Sequence, residues 1–140
     1  MKTTFKRLTR SSLVFASISL LIGCASAPND MPDVAEVSGQ VTYNGEALAD
    51  ARVTFQPESG RPSTATTDAD GKYTLMYNEN TPGAKIGKHT VRISKTNDTK
   101  DASGEVVKSE EMLPAKFNRE TTLEKTVEDK ENVIDFDLQP

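Results

Sequence analysis

From Ala35 onward, short runs of apolar residues alternate one-for-one with polar ones, and turn formers interrupt them about every eight to twelve positions. No segment carries a helical apolar stripe. Half-buried strands in this pattern bury their faces by packing two sheets together, so the expected fold class is all-β, a seven-stranded Greek-key β-sandwich. Hydrophobic residues form 35% of the chain and tryptophan is absent, enough for one modest core.

The first strand is expected over Glu36–Tyr43, with Val37, Gly39, Val41 and Tyr43 on one face. Asn44-Gly45, a pair that readily adopts positive φ, closes it. Leu48 is expected to plug the core, and Ala51–Gln56 places Ala51, Val53 and Phe55 on one side. After a loop at Pro57–Ser63 come a short strand at Thr64–Thr67, a turn at Asp68-Ala69-Asp70-Gly71, and Lys72–Tyr77 with Tyr73, Leu75 and Tyr77 on one face. A loop at Asn78–Lys85 leads to Thr90–Ser94, with Val91 and Ile93 inward. Thr96–Glu111 has almost no large apolar residues and is expected to be a mobile polar loop. Thr121–Val127 and Asn132–Leu138 complete the set; in the last, Ile134, Phe136 and Leu138 alternate with Asp135 and Asp137.

Ahead of this domain lie a basic stretch, Met1–Arg10, an apolar run, Leu13–Ile22, and the tetrapeptide Leu21-Ile22-Gly23-Cys24. These zones have the anatomy of a secretory signal. The apolar run is about ten residues, short of the roughly 20 that span a bilayer as a helix. Leu-Ile-Gly-Cys resembles the lipobox of bacterial lipoproteins, which implies that residues 1–23 are removed and that Cys24 is lipidated and becomes the first residue. Gly23 leaves the scissile peptide unobstructed, and only a cysteine thiol forms the thioether to diacylglycerol. Cys24 is the sole cysteine, so the domain depends on no disulfide. The competing reading is an ordinary cleaved signal followed by a free cysteine.

Two or more acyl chains anchor a protein stably, at about 0.8 kcal/mol per buried methylene. Residues 24–34, small and polar with Pro28 and Pro32, read as the lipidated cysteine and a flexible tether, and 35–140 as the domain. Ala25 is not the aspartate that resembles an inner-membrane retention signal in enteric bacteria. The expected location is therefore the cell envelope, facing the periplasm or exterior, with the outer membrane favoured over the inner.

Lys2, Lys6, Arg7 and Arg10 account for four of the 17 basic residues, and no acidic residue precedes Cys24. The chain from Cys24 onward thus carries 13 basic against 21 acidic groups, a net of −8. Such a surface repels phosphate backbones and anionic head groups, which argues against nucleic-acid binding and against attachment by a basic patch. Membrane attachment is expected through the lipid on Cys24.

One histidine, His89, and one cysteine cannot build a His-rich zinc site or a cysteine–histidine nucleophile within one chain. His89, beside Lys88 at a strand start, is expected to be partly exposed. Asp68 and Asp70 before Gly71 invite a calcium reading, with Glu79 at the twelfth position by count. A hand-type loop needs a further oxygen ligand before its glycine, and here Gly71 comes too early. A β-turn with Asx residues accounts for the segment, so no metal and no cofactor are expected. A lysine–asparagine cross-link of the kind found in some adhesin sandwiches has its residue types present but no assignable pair. Tyr43, Tyr73 and Tyr77 could form a sugar-stacking platform, yet their places in the alternation favour the core.

Val37-Ser38-Gly39-Gln40-Val41, Asn44-Gly45 through Phe55, Thr67-Asp68-Ala69-Asp70-Gly71-Lys72-Tyr73 and Gly87-Lys88-His89-Thr90-Val91-Arg92-Ile93 resemble the carboxypeptidase regulatory-like domain. Leu113-Pro114-Ala115-Lys116-Phe117-Asn118 with Val133–Leu138 resembles the tail of small lipoproteins that hold one such domain. The resemblance implies a transthyretin-like (prealbumin-like), Ig-like sandwich that is an accessory in carboxypeptidases and has no catalytic partner here. The long polar stretch after Ser94 departs from that compact pattern. The expected function is a lipid-anchored envelope module with a structural or protein-interaction role and no catalysis. The alternative is a carbohydrate- or peptide-binding module at the cell surface.

Overall fold

The computed structural model describes residues 31–140. In chain order the strands are Val34–Ala35 (β1), Val37–Tyr43 (β2), Glu46–Ala47 (β3), Arg52–Pro57 (β4), Ser63–Thr66 (β5), Lys72–Thr74 (β6) and Met76–Asn78 (β7). Thr81–Pro82 (β8), Ala84–Lys85 (β9), Gly87–Ser94 (β10), Thr96–Lys100 (β11) and Val106–Glu111 (β12) follow. Glu124–Val127 (β13), Asn132–Val133 (β14) and Phe136–Leu138 (β15) close the chain, after a short 3-10 turn at Ala115–Phe117.

The fold is an all-β sandwich. One sheet runs β13-β10-β4-β5-β7-β8; the other is built on β2, flanked by β6, β3, β14 and β15. The seven strands read from the sequence correspond to β2, β4, β5, β6 with β7, β10, β13, and β14 with β15. Residues 72–78 serve both sheets, since β6 pairs with β2 while β7 pairs with β5. Between them Leu75 is fully buried and its N–H donates to the Val37 carbonyl. Near-neighbours in sequence are thereby separated between sheets, and β10 lies beside β4 while the last strand lies beside the first long one, the crossing connections of a Greek key.

Val37 and Val41 of β2 meet Val53 and Phe55 of β4 and Val91 and Ile93 of β10 in the core, all fully buried. Phe55 packs edge-on against Phe136 with ring centroids 6.1 Å apart, tying β4 to β15 across the sandwich. Asn44 and Gly45 both have positive φ, 52° and 82°, so the expected turn chemistry operates where β2 folds back onto β3. Leu48 is buried as expected.

The terminal strand pairs with β2 in parallel: Asn132 opposes Val37 and Phe136 opposes Val41. A long connection is required for that geometry, and residues 44–131 supply it. Gly39 sits where the Ile134 carbonyl presses onto β2; a Cβ there would collide with that oxygen.

Three boundaries differ from the sequence reading. Val34, assigned to the tether, is already in β1, paired with Lys85. Asn78–Lys85, expected to be a loop, contains β8 and β9, which close short ladders against β7 and β1. The largest correction is Thr96–Glu111, which is a β-hairpin and not a loop: Thr96 pairs with Glu111, Asn97 with Glu110, Asp98 with Ser109 and Thr99 with Lys108. Every side chain of both strands is exposed, Val107 by 61%. A ribbon with two wet faces has no apolar alternation to reveal it. Its turn carries the signal instead: Asp101 Oδ1 accepts from Ser103 N, Ser103 Oγ and Glu105 N, and Gly104 has φ 85°.

Candidate functional site

Cys24, the residue on which the anchoring expectation rests, lies outside the described residues. Among the described residues no helix is long and apolar enough to cross a membrane.

His89 is 1% exposed, which corrects the expectation of a partly exposed residue. The cause is alternation: His89, Val91 and Ile93 occupy every second position of β10 and all point inward. Its ring lies 5.7 Å from that of Phe55. Nε2 is 2.6 Å from the Lys85 carbonyl, so it carries the proton and donates; Nδ1 is buried without a partner. No carboxylate or hydroxyl is hydrogen-bonded to the ring among the described residues, so the geometry does not assemble an acid–base pair around it.

Asp68 and Asp70 are brought together as a turn. Asp68 Oδ1 accepts from the backbone N–H of Asp70 and of Lys72, and Gly71 N donates to the Asp68 carbonyl. One oxygen of the carboxylate a cation would need thus serves two backbone amides. Among the described residues no group of three His, Cys, Asp or Glu side chains is arranged to hold a metal ion.

Two asparagines are buried, and both knit backbone. Asn132 Nδ2 donates to the carbonyls of Glu36, Glu128 and Lys130 while its Oδ1 accepts from Glu128 N. Asn118 Nδ2 reaches the carbonyls of Leu113 and Pro114, at 3.4 and 3.3 Å. No lysine among the described residues is buried, so neither asparagine meets the buried amine a cross-link requires.

The tyrosines separate. Tyr73 is buried; its hydroxyl donates to the Ile134 carbonyl at 2.6 Å, and burial, with Asp135 adding to it, pushes its phenol well above the ordinary range. Tyr43 packs partly buried against the core. Tyr77 is half-buried, and the Arg61 guanidinium lies over its ring, 5.4 Å from the centroid. No shared tyrosine platform results.

Around that pair runs an open groove of about 550 Å³ lined by Arg61, Pro62, Thr64, Met76, Tyr77, Asn78 and Glu79. A second hollow of about 360 Å³ shares Arg61, Asn78 and Glu79 and extends past Asn80 and Thr81. The sequence reading placed Arg61 in a loop and gave it no role. No local motif marks it, because its partner Tyr77 is sixteen residues away on another strand.

No protein-family model matches the chain. No curated protein matches it either. Among solved structures it is similar to a DUF3823 family protein from Parabacteroides merdae, at 13% identity and a TM-score of 0.42, over 79% of this chain and 48% of that one. It is also similar to a 9R-lipoxygenase from Cyanothece, at 13% identity and a TM-score of 0.43, over 76% of this chain and 16% of the enzyme. The chain thus spans about half the length of the first and a small part of the second.

Proposed function

We propose that this chain is a lipid-anchored β-sandwich of the cell envelope, of the carboxypeptidase regulatory-like kind, with a structural or protein-interaction role and no catalysis of its own. The observation that carries the reading is Leu21-Ile22-Gly23-Cys24 behind a basic and an apolar zone, followed by a short polar stretch before the sandwich starts at Val34. The placing of His89 supports the non-catalytic part, since among the described residues its ring is hydrogen-bonded to the Lys85 backbone carbonyl and not to a carboxylate or hydroxyl. The acidic balance after Cys24 supports attachment through acyl chains and not through charge. Ala25 after the cysteine favours the outer membrane over the inner.

Membrane fractionation of wild type beside Cys24→Ala tests this. The wild-type chain is expected in the membrane fraction and the variant in the soluble one. Wild type in the soluble fraction, or a variant that stays with the membrane, contradicts the anchor.

A further inference from the structure

We infer that the groove beside Tyr77 binds a carboxylate-bearing saccharide, with Arg61 as the fork that takes the carboxylate. Arg61 is exposed and, among the described residues, has no carboxylate within ion-pairing distance. A long cationic side chain in that state is ordinarily a mobile solvated group. Here the Tyr77 ring beneath it restricts its position, so less freedom is lost when it engages a planar anion in two parallel hydrogen bonds.

The surroundings fit a sugar ring. Asn78 Oδ1 is occupied by Asn80 N, which turns the remaining capacity of that amide to its N–H donors. Glu79 supplies acceptors for hydroxyl groups, and the exposed Met76 and half-buried Pro62 offer apolar surface for C–H faces. Few placed polar groups on an apolar wall are the ordinary make-up of a small-ligand site.

An extended peptide fits less well. Strand addition needs a free sheet edge, and β7 is covered by β8, where Met76 opposes Pro82. Pro82 has no N–H to offer a further strand. Recognition at this place must therefore go through side chains. The inference goes beyond the anchored-module reading and does not depend on Cys24.

Its test is a chemical-shift titration of the full-length chain in detergent micelles with galacturonic acid, whose single carboxylate limits repulsion by the acidic chain, beside its methyl ester. Shifts are expected at residues 61–64 and 76–81, with affinity about tenfold lower for the ester and for Arg61→Gln. Tyr77→Leu is expected to weaken binding several-fold while Tyr77→Phe, which keeps the ring under the guanidinium, retains it. Arg61 is exposed, so its variant tests binding without disturbing the core. Absence of shifts with millimolar acid, equal binding of acid and ester, or full binding by Arg61→Gln overturns the inference. So does an acidic tetrapeptide that shifts the same residues as strongly. Each of these outcomes leaves the fractionation of Cys24→Ala unaffected, so the two readings fail separately.

Discussion

Tyr73, Gly39 and Ile134 meet in one closely packed knot. Tyr73 opposes Gly39 across the β2–β6 ladder, and the Ile134 carbonyl that presses on Gly39 accepts the Tyr73 hydroxyl. Tyr73→Phe removes one hydrogen bond and is expected to cost about 1 kcal/mol in urea unfolding. The phenol is raised above its ordinary 10.0, first by burial and then by Asp135. A raised group contributes its stability below the ordinary value and loses it as pH rises through the folded one, so alkali above about pH 10 is expected to destabilise wild type more than Tyr73→Phe. Phenolate absorbance checks this: one of the three tyrosines is expected to resist ionisation in the folded chain, and the variant to lack that resistant fraction. Gly39→Ala forces a methyl onto the Ile134 carbonyl and is expected to cost about 1–3 kcal/mol by the same unfolding measurement.

At the scale of elements, the hairpin β11–β12 stands outside the core, with every side chain exposed. The Met112 N–H donates to the Lys95 carbonyl, closing the base of the hairpin, and no hairpin side chain enters the core. Joining Lys95 to Met112 through a two-residue turn is therefore expected to change unfolding free energy by about 1 kcal/mol or less. The Asp101 carboxyl is held below its ordinary 3.8, mainly by the Ser103 hydroxyl and then by backbone N–H groups of the turn. Its contribution to closing the turn is present above that value and is lost as pH falls through the lower folded one. Amide signals of Ser103 and Glu105 are expected to move toward open-turn values only below pH 3.8, and to sit there at neutral pH in Asp101→Ala.

The same elements show what alternation reveals and what it hides. Strands with one buried face, such as β4 with Val53 and Phe55, are legible because the polar partner at each second position marks the wet side. The rule extends to His89, whose inward position follows from Val91 and Ile93; its polarity alone suggested exposure. The hairpin, wet on both faces, leaves no such mark, and the parallel docking of β14 and β15 on β2 depends on contacts across 95 residues that no local pattern encodes. The candidate groove belongs to this second class. Arg61 and Tyr77 meet only because β5 and β7 pair through Thr64 and Met76.

At the scale of the molecule, the acidic balance, the single cysteine and the self-contained sandwich support one division of labour. In the function proposed above, acyl chains on Cys24 would fix the address, a short polar segment would give reach, and the domain from Val34 onward would present its loops and hairpin to the envelope. Cys24 is where that account is most exposed, because every later step assumes the signal is cut and the thiol acylated. Intact-mass analysis of the protein recovered from the membrane fraction tests it most directly. The expected mass is that of residues 24–140 plus the mass of a diacylglyceryl group, with or without a further acyl chain on the new amino terminus. A mass equal to an unmodified chain, with or without residues 1–23, contradicts it.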